Sequence, residues 1–292
     1  MKLFITGAAG FVGQEILRQC RLQAIDAVAV DIVPASFAGY CQADIRSSDI
    51  KNLIPEDVDA VIHLAGLSRD ADCKGKIYDC LESNCMATLN LMEASAKKKV
   101  KQFIFASSEW VYGDSDKHEV KDEDCLIDMR TLESEYAFSK LISEQSLRLC
   151  FIRGSYPVTI LRFGIIYGSR RYNWSAVESL FHAVKTRDEI KVGCLKTGRC
   201  FIHVSDIACG ILKAVGRKSF DIINLGGDKF INLGDVIETS KKILQKDPVI
   251  VETNPQAASV RNISSKKAKV VLNWKPEIDL ETGLKDLSSF LL

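Results

Sequence analysis

The sequence predicts an α/β protein with a doubly wound parallel sheet and a smaller C-terminal lobe. Apolar, strand-like segments alternate with helical ones through the first half of the chain. Several predicted strands are continuous apolar runs, as at 61–65 and 103–106, which is typical of strands buried on both faces. The first strand also leads directly into a loop with three glycines, as dinucleotide-binding sheets of the Rossmann type begin.

The elements follow one another in the order that such a sheet requires. Strands are predicted at 2–6, 27–31, near 41, at 59–64, 102–107 and 158–163, with helices starting at 12, running through 89–92 and spanning 133–150. Beyond Gly168 the elements become shorter, and no linker rich in Pro, Gly or Ser intervenes. We therefore expect a first domain at 1–168 and a smaller lobe at 169–292, with a soft boundary across which some segments return to the first domain.

Gly7, Gly10 and Gly13 mark the loop after the first strand. The first glycine permits a tight turn, the second lets the backbone approach a phosphate, and the third lets the helix lie close to the strand. Asp31 ends the second strand, at about the distance downstream where an acid binds the adenosine ribose. Because a carboxylate repels a 2′-phosphate, and 32–34 contain no cation, this acid favours NAD over NADP.

Composition excludes several other classes of protein. The 292 residues are 47% hydrophobic and 26% charged with a net charge of +1, which gives no reason to expect a nucleic-acid or membrane partner. The ten cysteines contain no Cys-x-x-Cys pair and the four histidines show no ligand spacing, so we expect reduced thiols and no metal site. Glycines interrupt the apolar N-terminus, and no long uncharged apolar run follows, so a cytoplasmic location is expected.

Tyr136 and Lys140 are the candidate proton-transfer pair. They lie at i and i+4 of one predicted helix and therefore share a face. A cation beside a phenol stabilises the phenolate, so Lys140 is expected to bring the Tyr136 pKa towards neutrality. Ser107 and Ser108 follow the strand at 102–107, and the carboxyl end of a strand is where ligands bind in such a sheet. A serine there can polarise the reacting oxygen, although the pair could also only cap the turn.

These segments resemble the extended short-chain dehydrogenase/reductase family, whose members are epimerases, dehydratases and reductases of nucleotide sugars. The resemblance covers nearly the whole chain and implies an NAD cofactor and a nucleotide-sugar substrate. It implies a catalytic group of Ser108, Tyr136, Lys140, Asn84 and Glu109, with Asn84 maintaining a link behind Lys140. It implies cofactor contacts from Gly7, Gly10, Phe11, Val12, Gly13, Asp31, Asp44, Ile45, Leu64, Ala65, Gly66, Ser107, Tyr136, Lys140 and Phe163. It implies substrate contacts from Ser108, Glu109, Trp110, Tyr136, Arg171, Arg199 and Arg261, with Arg199 pairing with a phosphate.

One departure from the family pattern bears on the reaction. The 4,6-dehydratases of the family carry Asp-Glu after the catalytic Ser or Thr, where this chain has Glu109 and Trp110. Because an indole cannot abstract a proton, dehydration loses support, although Glu109 leaves one half of the pair.

The function expected from these residues is NAD-dependent oxidation or reduction of a nucleotide-linked sugar at a ring carbon, most plausibly C4. Residues alone leave an epimerase and a 4-dehydrogenase or ketoreductase equally open. The alternatives are a 4,6-dehydratase that uses Glu109 and a non-catalytic NAD-binding regulator with the same fold. The resemblance also implies a homodimer through two long helices, for which Leu91, Leu141 and Leu147 are candidate interface residues, although some of them must instead face their own sheet.

Overall fold

The computed structural model describes residues 1–116, 118–154 and 156–290. Its strands are β1 (Lys2–Thr6), β2 (Asp26–Asp31), β3 (Tyr40–Gln42), β4 (Ala60–His63), β5 (Phe103–Ser108), β6 (Val158–Phe163), β7 (Ile166–Tyr167), β8 (Glu189–Val192), β9 (Gly198–Arg199), β10 (Ile202–His203), β11 (Asp221–Leu225), β12 (Ile231–Asn232) and β13 (Val249–Glu252). Its α-helices are α1 (Phe11–Leu22), α2 (Ile50–Leu53), α3 (Asp70–Cys73), α4 (Ile77–Leu81), α5 (Ala87–Lys97), α6 (Glu135–Ile152), α7 (Ala176–Thr186), α8 (Val204–Lys213), α9 (Leu233–Leu244), α10 (Lys266–Val271) and α11 (Leu280–Phe290). A π-helical turn at Glu82–Met86 joins α4 to α5, and 3-10 helices lie at Glu109–Tyr112 and Met129–Thr131.

A seven-stranded sheet in the order β11-β6-β5-β4-β1-β2-β3 organises the chain. The pairings of β1 with β2 and β4, of β2 with β3, and of β4 with β5 are all parallel. From β1 the chain builds outward to β3, then returns to the other side of β1 and builds outward through β4, β5 and β6. The doubly wound fold is therefore confirmed, and its switch point lies between the carboxyl ends of β1 and β4.

The strands are buried as their sequences predict. All six residues of β6 and all four of β4 are buried, because helices cover both faces of a parallel sheet. The central core packs Phe4, Val61, Phe103 and Phe105 against Leu91 of α5. A short 12-residue α1 follows the glycine loop and buries its Ile16 and Leu17.

Two compact units divide the chain. The first consists of Met1–Gly113, Leu126–Arg162 and Ala208–Ile223, and the second of Asp114–Cys125, Phe163–Ile207 and Asn224–Leu292. The sequence predicted a soft boundary at residue 168 with some later segments in the first domain, and Ala208–Ile223 is such a segment. The segment Asp114–Cys125 lies in the second unit, which the sequence did not predict.

Hydrogen bonds explain where these two segments lie. In the second unit, the Lys121 amide donates to the Asn262 carbonyl at 2.8 Å, which fixes the segment from 114 to 125 there. In the first unit, the buried Gln102 side chain donates to the Ala214 carbonyl at 2.9 Å and accepts from the Gly216 amide at 2.7 Å. Both pairings join residues more than 100 positions apart in sequence and leave no local signal.

The second unit has a core of its own. Helices α7, α9 and α11 pack together through Val177, Phe181, Val236, Ile237 and Leu284. Within the described ranges, none of the helices has the length and hydropathy needed to cross a membrane.

Candidate active site

The glycine loop brings β1 against the segment after β4. Gly7 has φ +72, and a Cβ added there would lie 2.7 Å from the Ala65 amide nitrogen and 2.8 Å from the Leu64 carbonyl carbon. A Cβ at Gly13 would lie 2.3 Å from the Gly7 carbonyl oxygen and 2.7 Å from the Ala8 Cα. Only glycine fits at either position, because the neighbouring atoms belong to the backbone and cannot turn away.

The N-terminus of α1 has the features of a phosphate site. Gly10 is its N-cap, no side chain caps the helix, and no acidic residue lies in the first turn. The first N–H groups of a helix have no partner inside the helix and carry the positive end of its dipole. An anion placed there, next to Phe11 and Val12, is stabilised by both effects.

Asp31 lies at the carboxyl end of β2, beside that loop. Its Oδ2 accepts a hydrogen bond from the Ala9 amide at 3.0 Å, and its Oδ1 accepts one from the Val33 amide at 3.1 Å. The carboxylate is therefore fixed in orientation next to the phosphate loop. This is the place where an acid can accept hydrogen bonds from ribose hydroxyls.

Asp44 is held by its neighbour Arg46. The Arg46 Nε and Nη2 donate to the Asp44 carboxylate at 2.9 Å and 2.7 Å, which lowers the pKa of Asp44. Arg46 also reaches Glu82 at 3.3 Å, while the adjacent Ile45 is buried in the sheet core. The predicted adenine-side pair is thus ordered, with an ionised carboxylate and an arginine beside it.

The π-helical turn places Asn84 against the loop after β4. The Asn84 Oδ1 accepts from the Leu67 amide at 2.7 Å, and its Nδ2 donates to the Leu67 carbonyl and to Ser139 Oγ at 3.0 Å each. A Cβ at Gly66 would lie 2.6 Å from the Asn84 Oδ1, so the loop passes close to this side chain. Asn84 thus reaches Ser139, the residue before Lys140, and the expected link behind Lys140 stays a prediction.

Ser108 and Tyr136 are hydrogen-bonded through their side chains. Ser108 ends β5, and Tyr136 lies in the first turn of α6, so the bond joins the carboxyl end of the sheet to the helix. The Lys140 ammonium lies 5.9 Å from the centroid of the Tyr136 ring and donates to the Ala106 carbonyl at 3.0 Å. All three side chains are buried, and the structure brings the predicted proton-transfer group together.

Burial dominates the acidities of this group. It raises the pKa of Tyr136 to about 12, against the opposing effect of the Ser108 hydrogen bond. It also lowers the pKa of Lys140 to about 8. The expectation that Lys140 brings the Tyr136 pKa towards neutrality is therefore wrong: the phenol keeps its proton, because the cost of a buried phenolate outweighs what the protein groups supply.

Glu109 and Trp110 follow Ser108 in a 3-10 helix. Glu109 is fully buried, and its charge is one of the causes that raise the Tyr136 pKa. The Trp110 ring packs edge-on against the Tyr136 ring, with centroids 6.3 Å apart and an angle of 80° between the planes. The position that carries a base in the dehydratases of the resembled family thus presents an indole to the candidate acid.

A buried network behind the site was missed by sequence reasoning. The Ser107 hydroxyl donates a hydrogen bond to Glu144 at 2.5 Å. The Arg162 guanidinium donates to both carboxylate oxygens of Glu144, at 3.0 Å and 2.7 Å. Arg162 also donates to the Tyr112 hydroxyl at 2.9 Å. Glu144 lies one turn after Lys140 on the same face of α6, and this spacing was the signal that could have revealed it.

A second missed feature is a chain of hydrogen bonds through His63. Its Nδ1 lies 2.8 Å from Thr6 Oγ1 and its Nε2 lies 2.8 Å from Thr88 Oγ1. Thr88 donates its own proton to the Asn84 carbonyl at 2.6 Å, so its oxygen must accept from His63 Nε2–H. Burial lowers the pKa of His63 to about 3, and this neutral ring ties the cofactor strand to the π-helical turn.

Two cysteines complete the wall behind Tyr136. Cys73 and Cys80 are fully buried, lie in one cluster with Tyr136, and are hydrogen-bonded to each other. Burial raises the pKa of the Cys73 thiol to about 12, which keeps it protonated. All ten cysteines are unbridged.

The arginines predicted to contact substrate lie in the second unit. The Nη1 of Arg199 donates to the Gly198 and Ser259 carbonyls at 2.7 Å and 2.6 Å, and its Nη2 donates to Ser259 Oγ at 2.6 Å. Arg261 pairs with Asp114 at 2.9 Å. Most of these Arg199 donors are therefore engaged by residues of the same unit. Fewer donors remain for a phosphate than the sequence suggested. Arg171 is exposed, and Phe163, at the end of β6, is buried.

The decisive comparison is with protein-family models, since the model described as the NAD dependent epimerase/dehydratase family matches residues 3–226. The chain belongs to this family. Its cofactor is therefore NAD, and the family is the extended short-chain dehydrogenase/reductase type.

Individual relatives agree on the family and differ in their reactions. A putative UDP-glucose 4-epimerase from Methanocaldococcus jannaschii is 28% identical over 305 residues, covering 99% of this chain and 98% of the relative. A dTDP-4-dehydro-6-deoxyglucose reductase from Escherichia coli is 27% identical over 311 residues, covering 98% and 96%. The crystal structure of a Thermus thermophilus UDP-glucose 4-epimerase with NAD superposes with a TM-score of 0.86 over 99% of both chains at 20% identity, a likeness of fold.

The residues of the family member described here fit NAD. The uncapped start of α1 offers N–H groups to a pyrophosphate, Gly7 and Gly13 leave no room for a larger residue under it, and Asp31 faces the same loop. The cofactor residues of the first unit thus lie along the switch point of the sheet. Phe163 belongs to the second unit.

Proposed function

We propose that this protein oxidises or reduces a nucleotide-linked sugar at C4 of the ring, as an epimerase or as a 4-dehydrogenase or ketoreductase. The observation that carries the proposal is the buried Ser108–Tyr136 hydrogen bond with the Lys140 ammonium beside the ring. Such a group moves one proton at one oxygen, which is what the interconversion of an alcohol and a ketone requires. A regulator without activity would have no use for this arrangement.

The roles of the side chains follow from their acidities. Tyr136 holds its proton at neutral pH, so in the reducing direction it donates that proton to the sugar oxygen, which Ser108 orients by hydrogen bonding. In the oxidising direction Tyr136 must accept a proton, which requires positive charge nearby. Lys140 supplies part of that charge below about pH 8, where it remains protonated. When bound, NAD⁺ supplies the hydride acceptor and a further positive charge.

The second unit supplies positive charge for the diphosphate of the substrate. Arg199 and Arg261 are both buried and share Asp114 as a neighbour, at 4.0 Å and 2.9 Å. A diphosphate that replaced Asp114 as the partner of these arginines would keep their charges compensated. We propose that Arg261 makes the stronger contact, because the donors of Arg199 are largely engaged by Ser259.

The first test is a thermal-shift panel of UDP-, dTDP-, GDP- and CDP-sugars with the NAD-loaded protein. The two relatives named UDP-glucose 4-epimerase make UDP-glucose the first choice. A ligand at a hundred times its Kd adds about 2.7 kcal/mol to the free energy of unfolding, which such a panel detects readily. Failure of all four nucleotide classes to stabilise the protein or to turn over would contradict the proposal and favour the regulator.

The cofactor content of the purified protein separates the two reactions that the residues leave open. An epimerase must keep its cofactor bound while the keto intermediate rotates in the site, whereas a reductase exchanges its cofactor in every catalytic cycle. NAD that survives gel filtration, with no dependence of activity on added cofactor, supports an epimerase. Dependence on added NAD or NADH supports a dehydrogenase or ketoreductase.

Trp110 leads to a prediction on dehydration. We expect no 4-keto-6-deoxy product from a nucleotide hexose, because dehydration needs a base at C5 as well as an acid at C6, and an indole is packed on Tyr136 in place of one of them. Turnover in deuterated water checks this, since removal of the C5 proton brings deuterium to that carbon. Deuterium at C5 with loss of the 6-hydroxyl would make the protein a 4,6-dehydratase that uses Glu109.

Asp31 leads to a prediction on cofactor choice. Asp31→Ala should lower the affinity for NAD about tenfold, because a partner of the ribose hydroxyls is lost. The difference in affinity between NAD and NADP should become smaller, because the carboxylate that repels a 2′-phosphate is lost. Asp31→Asn is the matched variant: it removes the charge but keeps one acceptor for the Ala9 or Val33 amide. Calorimetric titration of both cofactors measures the effect, and a wild-type preference for NADP would show that Asp31 has another role.

The homodimer is retained as a proposal on different residues. Leu91, Leu141 and Leu147 are buried at 0%, 4% and 0% exposure within their own unit, so they cannot form an interface. Leu91 and Leu147 pack into the core cluster that contains the sheet residues, and sequence periodicity does not tell an inward stripe from an outward one. The exposed apolar residues of α6 are instead Leu149, at 52%, and Ile152, at 60%.

We therefore expect Leu149→Glu to convert a dimer into a monomer. A charge placed in an apolar interface is desolvated without a partner, which opposes association. Val270→Glu is the control, because Val270 is 83% exposed on α10 in the other unit. Light scattering of the three proteins checks this, and a wild-type mass of 32.4 kDa at micromolar concentration would rule out the dimer.

A further inference from the structure

The carboxyl end of β5 is bonded to α6 at three consecutive residues. The bonded pairs are Ala106 with Lys140, Ser107 with Glu144, and Ser108 with Tyr136. The three partners on α6 are spaced by four residues and therefore lie along one face of the helix. Two of them are the proton-transfer pair, and the third, Glu144, has no part in the proposed chemistry.

Glu144 is fixed more firmly than its two neighbours on this face. Its side chain is 0% exposed, and Arg162, at 3%, holds both of its oxygens. Arg162 is held in turn by the Tyr112 hydroxyl, and its guanidinium lies 4.8 Å from the centroid of the Tyr112 ring. A buried carboxylate without such a partner would carry a large desolvation cost. The Arg162 guanidinium offsets that cost for Glu144 at this position.

The position of Ser108 depends on this clamp. The Ser107 hydroxyl is bonded to Glu144, which fixes the backbone of β5 one residue before Ser108. Ala106, two residues before Ser108, is fixed by its hydrogen bond from Lys140. The end of β5 therefore has little freedom to move, and the distance from the Ser108 hydroxyl to Tyr136 is set by these contacts. A small shift of one strand end past the helix would separate the serine from the tyrosine.

We propose that Glu144, clamped by Arg162, is a positioning residue of this centre, which sets the end of β5 against α6 so that Ser108 meets Tyr136 and which holds negative charge one turn from Lys140. The inference rests on the proposed function, since it concerns how the same proton-transfer group is built. Glu144 touches none of the reacting atoms and acts only through Ser107 and Lys140.

The charges around Lys140 support the second part of this role. Burial favours the neutral amine of Lys140, and Cys80, Cys73 and the Glu144 carboxylate, in that order, oppose this effect. The titratable groups that face Lys140 are Tyr136 and Glu144 on its own helix, His63 on β4, Cys73 on α3 and Cys80 on α4. Glu144 is the carboxylate among them, and Arg162 pairs with it at 2.7 Å inside the protein.

Two variants test the proposal in the NAD-loaded protein. Ser107→Ala removes the bond between β5 and Glu144 but leaves the buried ion pair intact. Glu144→Gln/Arg162→Met removes both charges together, because Glu144→Gln alone would strand a buried guanidinium and unfold the chain. The matched control is Asp221→Asn/Arg217→Met, which removes another arginine–carboxylate pair of the first unit, bonded at 2.7 Å between two residues that are not part of α6.

The first readout is the kinetics of sugar turnover. We expect Ser107→Ala to lower kcat about tenfold with little change in KM, because misplacement of Ser108 affects the chemical step more than binding. The double variant should in addition lose activity at lower pH than the wild type does, since Lys140 then loses its charge earlier. Retention of kcat within twofold by Ser107→Ala would overturn the positioning role.

The second readout does not depend on activity. With ¹³C-labelled lysine side chains, the Lys140 signal is identified by its disappearance in Lys140→Met, and its NMR titration gives the midpoint directly. The midpoint should fall in the double variant and stay unchanged in the control. An unchanged midpoint in the double variant would overturn the charge role, and this result stands even if no nucleotide sugar is turned over and the proposed function fails.

Discussion

Tyr136→Phe is expected to lower kcat at least about a hundredfold while NAD binding stays within twofold of the wild type. The change removes only the hydroxyl that is bonded to Ser108 and that exchanges a proton with the sugar. Loss of a general acid or base typically costs 10²–10⁴ in rate. Single-turnover kinetics with the NAD-loaded variant measure the effect, and calorimetry measures cofactor affinity.

Tyr156→Phe provides the control for this prediction. Tyr156 is another tyrosine of the same unit, and its hydroxyl donates to the Met92 carbonyl at 3.2 Å. Its loss should affect stability more than the chemical step. If Tyr136→Phe keeps more than a tenth of the wild-type kcat, the proton is transferred by another group.

Gly13→Ala is expected to abolish NAD binding and to lower the free energy of unfolding by about 1–3 kcal/mol, the usual cost of overpacking. The new Cβ would lie 2.3 Å from the Gly7 carbonyl oxygen and 2.7 Å from the Ala8 Cα. Because both atoms are backbone atoms, the loop itself must move, and the N-terminus of α1 moves with it. Calorimetric titration with NAD and thermal unfolding measure the two effects.

Gly10→Ala separates the two effects. A Cβ at Gly10 would lie 3.1 Å from the Gly7 carbonyl oxygen and would otherwise point into the region where the phosphate approaches. Stability should change little, whereas NAD affinity should fall about tenfold or more. Normal NAD affinity in both variants would mean that the cofactor does not approach this loop.

The sheet could be predicted from the sequence because its signals are local. The apolar run before Gly7 gives β1 at Lys2–Thr6, and the run before Gly164 gives β6 at Val158–Phe163, both with the predicted bounds. The turn at Glu82–Met86 could not be predicted, because its hydrogen bonds skip one residue more than those of an α-helix and leave no periodic trace. The return of Ala208–Ile223 to the first unit depends on Gln102, more than 100 residues away.

The candidate site shows the same division between local and distant signals. Ser108, Tyr136 and Lys140 lie in short motifs whose spacing carries chemistry, so they could be identified before the structure was seen. The acidities could not, because the Tyr136 pKa depends on burial by Cys73, Cys80 and Trp110, which approach from other elements. Arg162 of β6 and Glu144 of α6 are 18 residues apart in sequence, and their pairing appears only in the folded protein.

Transfer of hydrogen from C4 of the sugar to the cofactor tests the central claim most directly. The nucleotide sugar that stabilises the protein most in the thermal panel is prepared with deuterium at C4 and mixed with the NAD-loaded enzyme, and the reduced cofactor is extracted within one turnover for mass spectrometry. We predict deuterium on the nicotinamide with the wild-type protein and none with Tyr136→Phe. Reduced cofactor without deuterium, or no reduction by a sugar that binds, would contradict oxidation at C4 by this enzyme.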